Sequence, residues 1–308
     1  MEGKLAMGMK GMTVVITGAT AGIGRVTARE LAVAGARILL VARNREKAEA
    51  TRRWIMMAAD NAEVEPIIAD LSSLAQVRSV AEQVISRGAL NVLVNNVGAI
   101  FQRRGETEEG IEMTFALNHL APFLLTNLLR DALRRGAPSR VVTVSSAAHL
   151  RTDMNFDDLE GRVRYRAWTA YGQSKLANLL FTYELARRLG GSGITANALH
   201  PGFVASDFAS NNGAFMRLMM SMAKRLGAVS VEQGARTSIY LASAEEVQGV
   251  TGKYFVKCRE AESSPASRDR QSMRRLWEVS ARMTGLGGES MFTESASSNG
   301  APERARKA

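Results

Sequence analysis

The chain has 308 residues, of which 46% are hydrophobic and 23% are charged, a balance typical of soluble globular proteins. Its single cysteine, Cys258, excludes an internal disulfide framework. The net charge is +10, but aromatic residues make up only 6% and no basic stretch is interleaved with them. We therefore expect no nucleic-acid partner.

Short apolar runs alternate with helical patterns along the chain. The first run, Val14 to Ile16, ends at Thr17, and a helical pattern from Ile23 to Ala34 follows it. Six more buried strands are predicted at residues 38–41, 64–69, 91–95, 140–145, 194–199 and 253–257. The later helices are predicted at residues 44–59, 73–87, 110–135, 169–189 and 231–243. Apolar strands that alternate with helices form parallel sheets covered on both faces, so the predicted fold is α/β, a doubly wound, seven-stranded parallel sheet of the Rossmann type.

The chain is predicted to have an N-terminal extension at residues 1–10, a single domain at 11–286 and a disordered tail at 287–308. A Met-rich segment at 203–230 predicts a small helical lid over a substrate site, although such methionines are also typical of a core. No apolar run reaches the roughly 18 residues of a membrane span, and the N-terminus lacks the apolar core of a secretory signal. We therefore expect no membrane span and a cytoplasmic location.

A glycine-rich loop joins the first predicted strand to the first predicted helix. Gly18 would permit the tight turn, Gly22 the close approach of a pyrophosphate, and Gly24 the close packing of the helix on the strand. The helix N-terminus would add unpaired N–H groups and the positive end of its dipole. The loop therefore predicts a dinucleotide site.

The end of the second strand indicates which dinucleotide binds. NAD-binding folds place an Asp or Glu there for the ribose 2′-hydroxyl, but residues 41–44 contain none. Arg43 offers instead a fork of donors for a 2′-phosphate, which predicts NADP(H). Asp70, after the third strand, is either an acceptor for the adenine amino group or a helix cap. Asn96 and Gly98 follow the fourth strand, where the backbone runs close to a cofactor in this architecture.

A second group of residues carries acid–base chemistry. Tyr171 and Lys175 lie four residues apart, on one face of a long predicted helix. A nearby ammonium favours the phenolate and would lower the pKa of the phenol, which suits a general acid or base. The fifth strand delivers Ser145 and Ser146 to its carboxyl end, where this fold binds ligands. Asn118 lies on the helix between the fourth and fifth strands.

With these motifs the chain resembles the short-chain dehydrogenase/reductase family over roughly residues 10–286. The matching motifs, in the family's order, are Thr-Gly-x-x-x-Gly-Ile-Gly at 17–24, Asn-Asn-x-Gly at 95–98, Asn118, Ser-Ser at 145–146, Tyr-x-x-x-Lys at 171–175 and Pro-Gly at 201–202. Further phrases are similar to the branch of retinol dehydrogenases and their bacterial relatives, at residues 107–112, 118–126, 156–159, 170–178 and 252–255.

The resemblance implies a catalytic tetrad. Tyr171 would exchange the substrate proton, and Lys175 would lower its pKa and hold the nicotinamide ribose. Ser146 would orient the substrate oxygen, with Ser145 as the alternative, and Asn118 would hold a water in a proton path to Lys175. The full set of predicted cofactor contacts is Gly18, Thr20, Gly22, Ile23, Gly24, Arg43, Asp70, Leu71, Asn96, Gly98, Tyr171, Lys175, Pro201, Gly202, Val204 and Ser206.

Three features depart from the family pattern. Val97 replaces the usual alanine, and Ser206 stands where a threonine commonly contacts the carboxamide. Ser146 and Tyr171 are 25 positions apart, farther than in compact members of the family. Because the longer loop could disturb the family's subunit interface, both a monomer and a homo-oligomer stay open.

The predicted function is an NADP(H)-dependent oxidoreductase that interconverts a lipophilic carbonyl compound and its alcohol by hydride transfer. The Met- and Phe-rich lid favours a sizeable apolar small molecule as substrate, a retinoid-like or other lipophilic carbonyl compound or alcohol. His119, His149 and His200 match no metal spacing, so no metal site is predicted. One alternative is a protochlorophyllide-reductase-like enzyme, which the position of Cys258 on the last strand disfavours. The other is a dinucleotide-sensing binding protein without turnover, which the complete tetrad disfavours.

Overall fold

The computed structural model of the chain describes residues 8–203 and 229–287, and an eight-stranded sheet is its central feature. The strands lie in the order β3-β2-β1-β4-β5-β6-β7-β8; β1 to β7 are parallel, and β8 pairs antiparallel with β7. Their bounds are β1 (Thr13–Thr17), β2 (Arg37–Ala42), β3 (Val64–Ile68), β4 (Val92–Asn95), β5 (Ser139–Val144), β6 (Ile194–His200), β7 (Tyr254–Val256) and β8 (Arg259–Glu260).

The doubly wound sheet predicted from the sequence is confirmed, and each of the seven predicted strands ends within one residue of its expected limits. The eighth strand is a difference from the prediction. It follows a tight turn at Lys257 and Cys258, whose φ angles are 51° and 61°. Two residues are too few to give an alternating pattern, which is why the sequence did not indicate this antiparallel edge.

Helices cover both faces of the sheet. Their bounds are α1 (Gly22–Val33), α2 (Arg45–Met56), α3 (Leu74–Ile85), α4 (Met113–Phe115), α5 (Ala121–Leu128), α6 (Arg130–Arg135), α7 (Ala167–Arg188), α8 (Val231–Ser243) and α9 (Arg270–Met283). Successive side chains of a strand point to opposite faces, so Val14 packs in one core with Leu31 and Ile239, and Val15 packs in the other with Leu124 and Leu176. No helix within the described residues combines the length and the apolar content needed to cross a membrane.

Parts of the predicted domain organisation lie outside the described residues, namely residues 1–7 of the N-terminal extension, most of the lid (204–228) and the tail beyond Gly287. Met9, in the predicted N-terminal extension, is buried, and its N–H donates to the Ala34 carbonyl at 2.9 Å. The start of the described chain therefore packs against the end of α1.

The helix predicted at residues 110–135 is interrupted in the structure. It begins at Met113, passes through a π-helical turn at Ala116–Leu120, and breaks again at Leu129. Pro122 follows the π turn and has no N–H with which to continue the regular bonding pattern. π turns are rare and frequently occur at functional sites, and this one carries Asn118.

The C-terminal helix α9 was not predicted. Asp269 caps its N-terminus by accepting from the Ser272 N–H at 2.8 Å. Trp277 is buried between α5 and α7, with its ring 4.9 Å from that of Phe123 and 6.0 Å from that of Phe181. The guanidinium of Arg188 lies 4.4 Å from the centre of the indole. Helix α9 therefore packs on the same face of the sheet as α5 and α7.

The long insertion after β5 is tied to the domain by side chains. It begins with a 3₁₀ turn, Ala147–Arg151. Gln173 accepts from the Asn155 N–H at 2.8 Å and donates to the Leu159 carbonyl at 2.9 Å. Glu160 accepts from the Glu112 N–H at 3.1 Å. The insertion is thus anchored to α7 and to the start of α4.

His119, in the π turn, is fully buried among the rings of Phe115, Phe123 and Phe181, and its Nε2 lies 2.8 Å from Ser280 Oγ on α9. Burial lowers the pKa of His119 to about 3, whereas an unfolded histidine titrates near about 6.5. The folded state therefore favours the neutral ring. Its contribution to stability is complete above about pH 6.5 and is lost as the pH falls toward 3.

We predict that His119→Gln makes the free energy of unfolding less dependent on pH. From pH 6.5 to pH 5 the unmodified protein should lose about 1.6 kcal/mol more than the variant, since each pH unit contributes up to about 1.4 kcal/mol per proton taken up on unfolding and the unfolded histidine is half protonated at about pH 6.5. Urea unfolding at several pH values measures this difference. Parallel curves for the two proteins would contradict the assignment.

Helix α7 lies unusually close to the 3₁₀ turn after β5, and Gly172 makes this approach possible. A Cβ atom at Gly172 would collide with Thr152 Oγ1 and would lie 3.2 Å from the Ala148 carbonyl oxygen. Thr152 Oγ1 itself donates to that carbonyl at 2.9 Å, so it is not easily displaced.

We predict that Gly172→Ala destabilises the protein by about 1–3 kcal/mol, the usual cost of overpacking, although alanine favours a helix over glycine by about 1 kcal/mol. In a Thr152→Ala background the same substitution should cost at least about 1 kcal/mol less, because the colliding atom is gone. Denaturant unfolding of the four proteins gives this coupling energy. Additive effects would show that the contact does not limit the approach of α7.

Candidate active site

The predicted site residues converge on the carboxyl edge of the sheet. The strand order reverses between β1 and β4, and in doubly wound folds ligands bind in the crevice at such a switch point. The glycine-rich loop follows β1 on one side of this crevice, and Asn96 follows β4 on the other.

The glycines of the loop have the conformations that the motif requires. Gly18 and Gly22 have φ angles of 66° and 50°, in the left-handed region that side chains rarely adopt. A Cβ at Gly24 would collide with Asn96 Nδ2 and lie 2.6 Å from the Gly18 carbonyl oxygen. The first turn of α1 therefore lies against the backbone of the loop, as expected of a dinucleotide fold.

The N-terminus of α1 can bind an anion. Its N-cap residue, Ala21, has no side chain that could accept from the first N–H groups of the helix. These N–H groups and the positive end of the helix dipole are the features with which helix N-termini bind phosphate groups. Thr20 lies in this loop and Ile23 in the first turn of α1; both are among the predicted cofactor contacts.

Arg43 and Asp70 lie side by side at the ends of β2 and β3. Arg43 Nη1 is 3.8 Å from Asp70 Oδ2, and the arginine side chain is 67% exposed. Asp70 also accepts from the N–H and the hydroxyl of Ser72 at 3.0 and 2.7 Å. The guanidinium is thus available at the surface beside the crevice, while Asp70 orders its own turn. Leu71, which follows, is buried in the core.

Thr17 joins the two walls of the crevice, a role that the sequence did not indicate. Its hydroxyl accepts from the N–H groups of Asn96 and Val97, both at 3.0 Å. The Asn96 amide donates in turn to the carbonyls of Thr17 and Gly18 at 2.8 and 3.2 Å. Thr17 directly precedes Gly18 in the glycine-rich motif, and this position is the signal in the sequence that could have identified it.

Asn118 is held in the π turn by three hydrogen bonds. Its Oδ1 accepts from the Ala99 N–H at 2.8 Å, and its Nδ2 donates to the Ala99 carbonyl at 2.8 Å and to Ser174 Oγ at 3.0 Å. Ser174 donates to the Tyr171 carbonyl at 2.7 Å. Asn118 therefore connects the loop after β4 to α7, the helix that carries Tyr171. Ser174 was not among the predicted site residues, although it lies within the Tyr-x-x-x-Lys motif.

Lys175 lies on α7, and its buried side chain reaches the carboxyl end of β5. Its Nζ donates to the Val144 carbonyl at 3.0 Å, and a Cβ at Gly98 would lie 3.1 Å from the same nitrogen. Burial lowers the pKa of Lys175 to about 8. Because Lys175 bonds to the backbone oxygen of Val144 and not to a side chain, the residue types in the sequence could not indicate this hydrogen bond.

Tyr171 is also buried, and its environment corrects one expectation. Burial raises the pKa of Tyr171 to about 12, and a hydrogen bond with Ser146 opposes this only in part. The predicted lowering of this pKa by Lys175 is not found. The ammonium lies 5.7 Å from the centre of the phenol ring and donates to a backbone carbonyl, while both groups are removed from water.

The two candidate serines have different surroundings. Ser145 donates its hydroxyl hydrogen to the Lys175 carbonyl at 2.7 Å and is buried. Ser146 accepts from the Ala148 N–H at 3.2 Å, and its hydroxyl lies within hydrogen-bond reach of Tyr171. The structure thus brings Ser146 toward the phenol and Ser145 toward the helix backbone.

The last predicted contacts follow β6. Gly202 has a φ angle of 89°, and a Cβ there would lie 3.1 Å from Val229 Cγ2. Pro201 precedes it at the same edge of the sheet. Val204 and Ser206 lie outside the described residues.

Comparisons with known proteins match this arrangement. The family model described as short chain dehydrogenase matches residues 12–217. Human retinol dehydrogenase 14 is 42% identical over 299 residues, which cover 90% of this chain and 88% of that protein. Human retinol dehydrogenase 13 is 43% identical over 282 residues, with 90% and 85% covered.

Solved structures also match. An uncharacterized protein from Mycobacterium paratuberculosis is 35% identical, with a TM-score of 0.74 over 91% of this chain and 96% of that one. The Pseudomonas aeruginosa RhlG/NADP active-site complex is 27% identical, with a TM-score of 0.66 over 83% and 97%. The chain belongs to the short-chain dehydrogenase family and is an oxidoreductase that acts on CH–OH groups.

Proposed function

We propose that the protein is an NADP(H)-dependent enzyme that interconverts a lipophilic carbonyl compound and its alcohol, with Asn118, Ser146, Tyr171 and Lys175 as its catalytic tetrad. The observation that carries this proposal is the joint burial of Tyr171 and Lys175 at the end of β5, beside the hydroxyl of Ser146. Titratable groups with strongly shifted pKa values that share one crevice are typical of catalytic sites.

The shifted pKa values suit the reduction of a carbonyl group. Bound NADPH would supply the hydride. A pKa of about 12 keeps Tyr171 protonated at neutral pH, so the phenol is ready to donate to the carbonyl oxygen as that oxygen gains negative charge. With a pKa of about 8, Lys175 still carries its proton at pH 7 and would donate to the ribose hydroxyls.

Ser146 and Asn118 would set the geometry of the proton transfer. Ser146 can donate to the substrate oxygen, because its oxygen already accepts from the Ala148 N–H. Asn118 fixes the backbone at Ala99, close to Lys175, and would bind a water that relays protons to the lysine.

The cofactor proposal rests on Arg43 and on the uncapped start of α1. Residues 41–44 contain no carboxylate that would accept from a ribose 2′-hydroxyl and repel a 2′-phosphate. The exposed guanidinium of Arg43 is a bidentate donor suited to that phosphate. A related structure that contains NADP supports the same choice.

The proposed substrate is a retinoid-like or similarly apolar aldehyde, ketone or alcohol. Trp168 is 61% exposed, and its ring lies 6.1 Å from that of Tyr171 in an edge-on arrangement, so an apolar surface adjoins the phenol. The retinol dehydrogenases among its relatives point to the same class. Assays of retinal, short aldehydes and ketones with both dinucleotides, read by the absorbance of the reduced nicotinamide, test the proposal.

We predict that Tyr171→Phe lowers kcat for the best aldehyde by at least about 10²-fold, since it removes only the proton donor. The Kd for NADPH should stay within about twofold of the original, because the ring and the helix remain. Steady-state kinetics and fluorescence titration of NADPH measure the two quantities.

The matched control is Tyr183→Phe, on the same helix. Its hydroxyl bonds to Ser263 at 2.7 Å, so this variant also loses one tyrosine hydrogen bond. It should keep its kcat. Undiminished turnover in Tyr171→Phe would exclude the proposed mechanism.

We predict that the protein binds NADPH more than tenfold more tightly than NADH, which corresponds to about 1.4 kcal/mol or more. Arg43→Asp should reverse this preference, because a carboxylate accepts from a 2′-hydroxyl and repels a phosphate. Arg53→Asp, with the same charge change in the last turn of α2, should leave the ratio unchanged. Equal Kd values for the two dinucleotides in the unmodified protein would contradict the role of Arg43.

A further inference from the structure

One peptide group at the active site is held from both sides. It joins Ser146 to Ala147, directly after β5, and consists of the Ser146 carbonyl and the Ala147 N–H. Two histidines flank it: His149 lies in the 3₁₀ turn that follows, and His200 is the last residue of the neighbouring strand β6. Neither histidine belongs to the proposed tetrad.

His149 holds the carbonyl side of this peptide. Its Nδ1 lies 2.6 Å from the Ser146 carbonyl oxygen, and its Nε2 lies 3.3 Å from the backbone nitrogen of Ser264. A carbonyl oxygen can only accept and a backbone N–H can only donate, so the ring must carry its proton on Nδ1. The ring is fully buried, with the ring of Tyr254 packed edge-on at 5.3 Å. Both nitrogens of His149 are therefore satisfied in one tautomer only.

His200 holds the N–H side of the same peptide. Its Nδ1 accepts from the Ala147 N–H at 3.3 Å, which requires that this nitrogen be unprotonated. Burial lowers the pKa of His200 to about 4 and also lowers that of His149. Both rings are thus neutral at pH 7, the form in which one can donate to the peptide and the other can accept from it.

The direction of the Ser146 hydroxyl depends on this peptide. Ser146 Oγ accepts from the Ala148 N–H two residues later, so a rotation of the intervening peptide would move the hydroxyl. We infer that His149 and His200 are positioning residues that clamp the Ser146–Ala147 peptide and thereby aim the serine hydroxyl at the substrate oxygen. This inference rests on the role proposed for Ser146.

Paired substitutions of each histidine distinguish a role in hydrogen bonding to the peptide from a role in packing alone. An asparagine side chain places a donor or an acceptor close to the position of Nδ1, whereas an apolar side chain places none. His200→Leu should lower kcat for retinal reduction with NADPH by about tenfold or more, since small misplacements of reacting groups are costly. His200→Asn should restore kcat to within about threefold. The Kd for NADPH should be unchanged in both variants.

The same comparison applies to His149, with His149→Phe as the apolar variant and His149→Asn as the conservative one. Because His149 is fully buried, His200 provides the primary test if His149→Phe does not fold. Equal kcat values for His200→Leu and His200→Asn, whether both are lowered or both are unchanged, would overturn the clamp. Such a result would show that kcat does not depend on an acceptor at the position of Nδ1.

A double-mutant cycle with Ser146→Ala tests whether the histidine acts through the serine. In the Ser146→Ala background His200→Leu should change kcat by less than about twofold, because no hydroxyl is left to aim. A further tenfold loss in that background would overturn the clamp while leaving the role of Ser146 intact. If Ser146→Ala alone keeps full kcat, both the proposed role of the serine and the clamp are wrong.

Discussion

The hydroxyl of Thr17 accepts hydrogen bonds from two consecutive backbone N–H groups, those of Asn96 and Val97, and this interaction connects the ends of β1 and β4. At this point the sheet reverses its strand order, so the helices that follow the two strands leave toward opposite faces and open a crevice. The amide of Asn96 returns two bonds to the backbone at Thr17 and Gly18. Short bonds to backbone groups thus hold the two walls of the crevice together, and the glycine-rich loop begins at one of these walls.

The chemistry of the site follows from what surrounds the tyrosine and the lysine. Burial opposes charge on both, which keeps the phenol protonated and brings the lysine closer to neutrality. A lysine in such a place needs an acceptor, and the carbonyl at the end of β5 provides it. The same strand end supplies the serine, and the close approach of α7 at Gly172 brings the phenol to it. The end of β5 therefore brings together three members of the proposed tetrad, Ser146, Tyr171 and Lys175.

The parallel strands and the glycine-rich loop could be predicted from the sequence because their signals are local. Three glycines in the loop predict a tight turn, and two of them, Gly18 and Gly22, have the left-handed φ angles that only glycine adopts readily. Helix α9 was missed because five of its fourteen residues are charged, although Met273, Leu276, Trp277 and Ala281 pack against the core at helical spacing. The hydrogen bonds of His149 could not be predicted from a local pattern, since its partner Ser264 lies 115 positions away in the sequence. The direction of the tyrosine pKa was also wrong, because a pair of residue types does not reveal how much water a fold excludes.

Helix α9 has a consequence for how the protein matures on the ribosome. Its serine bonds to His119 in the π turn beside Asn118, and its tryptophan fills the space between α5 and α7. The nucleotide-binding half, which is made first, can assemble its strands as they emerge. The turn that carries Asn118 reaches its final packing only after Trp277 and Ser280 have left the exit tunnel, so a nascent chain would form its glycine-rich loop before the turn of Asn118, a member of the proposed tetrad, is fully packed.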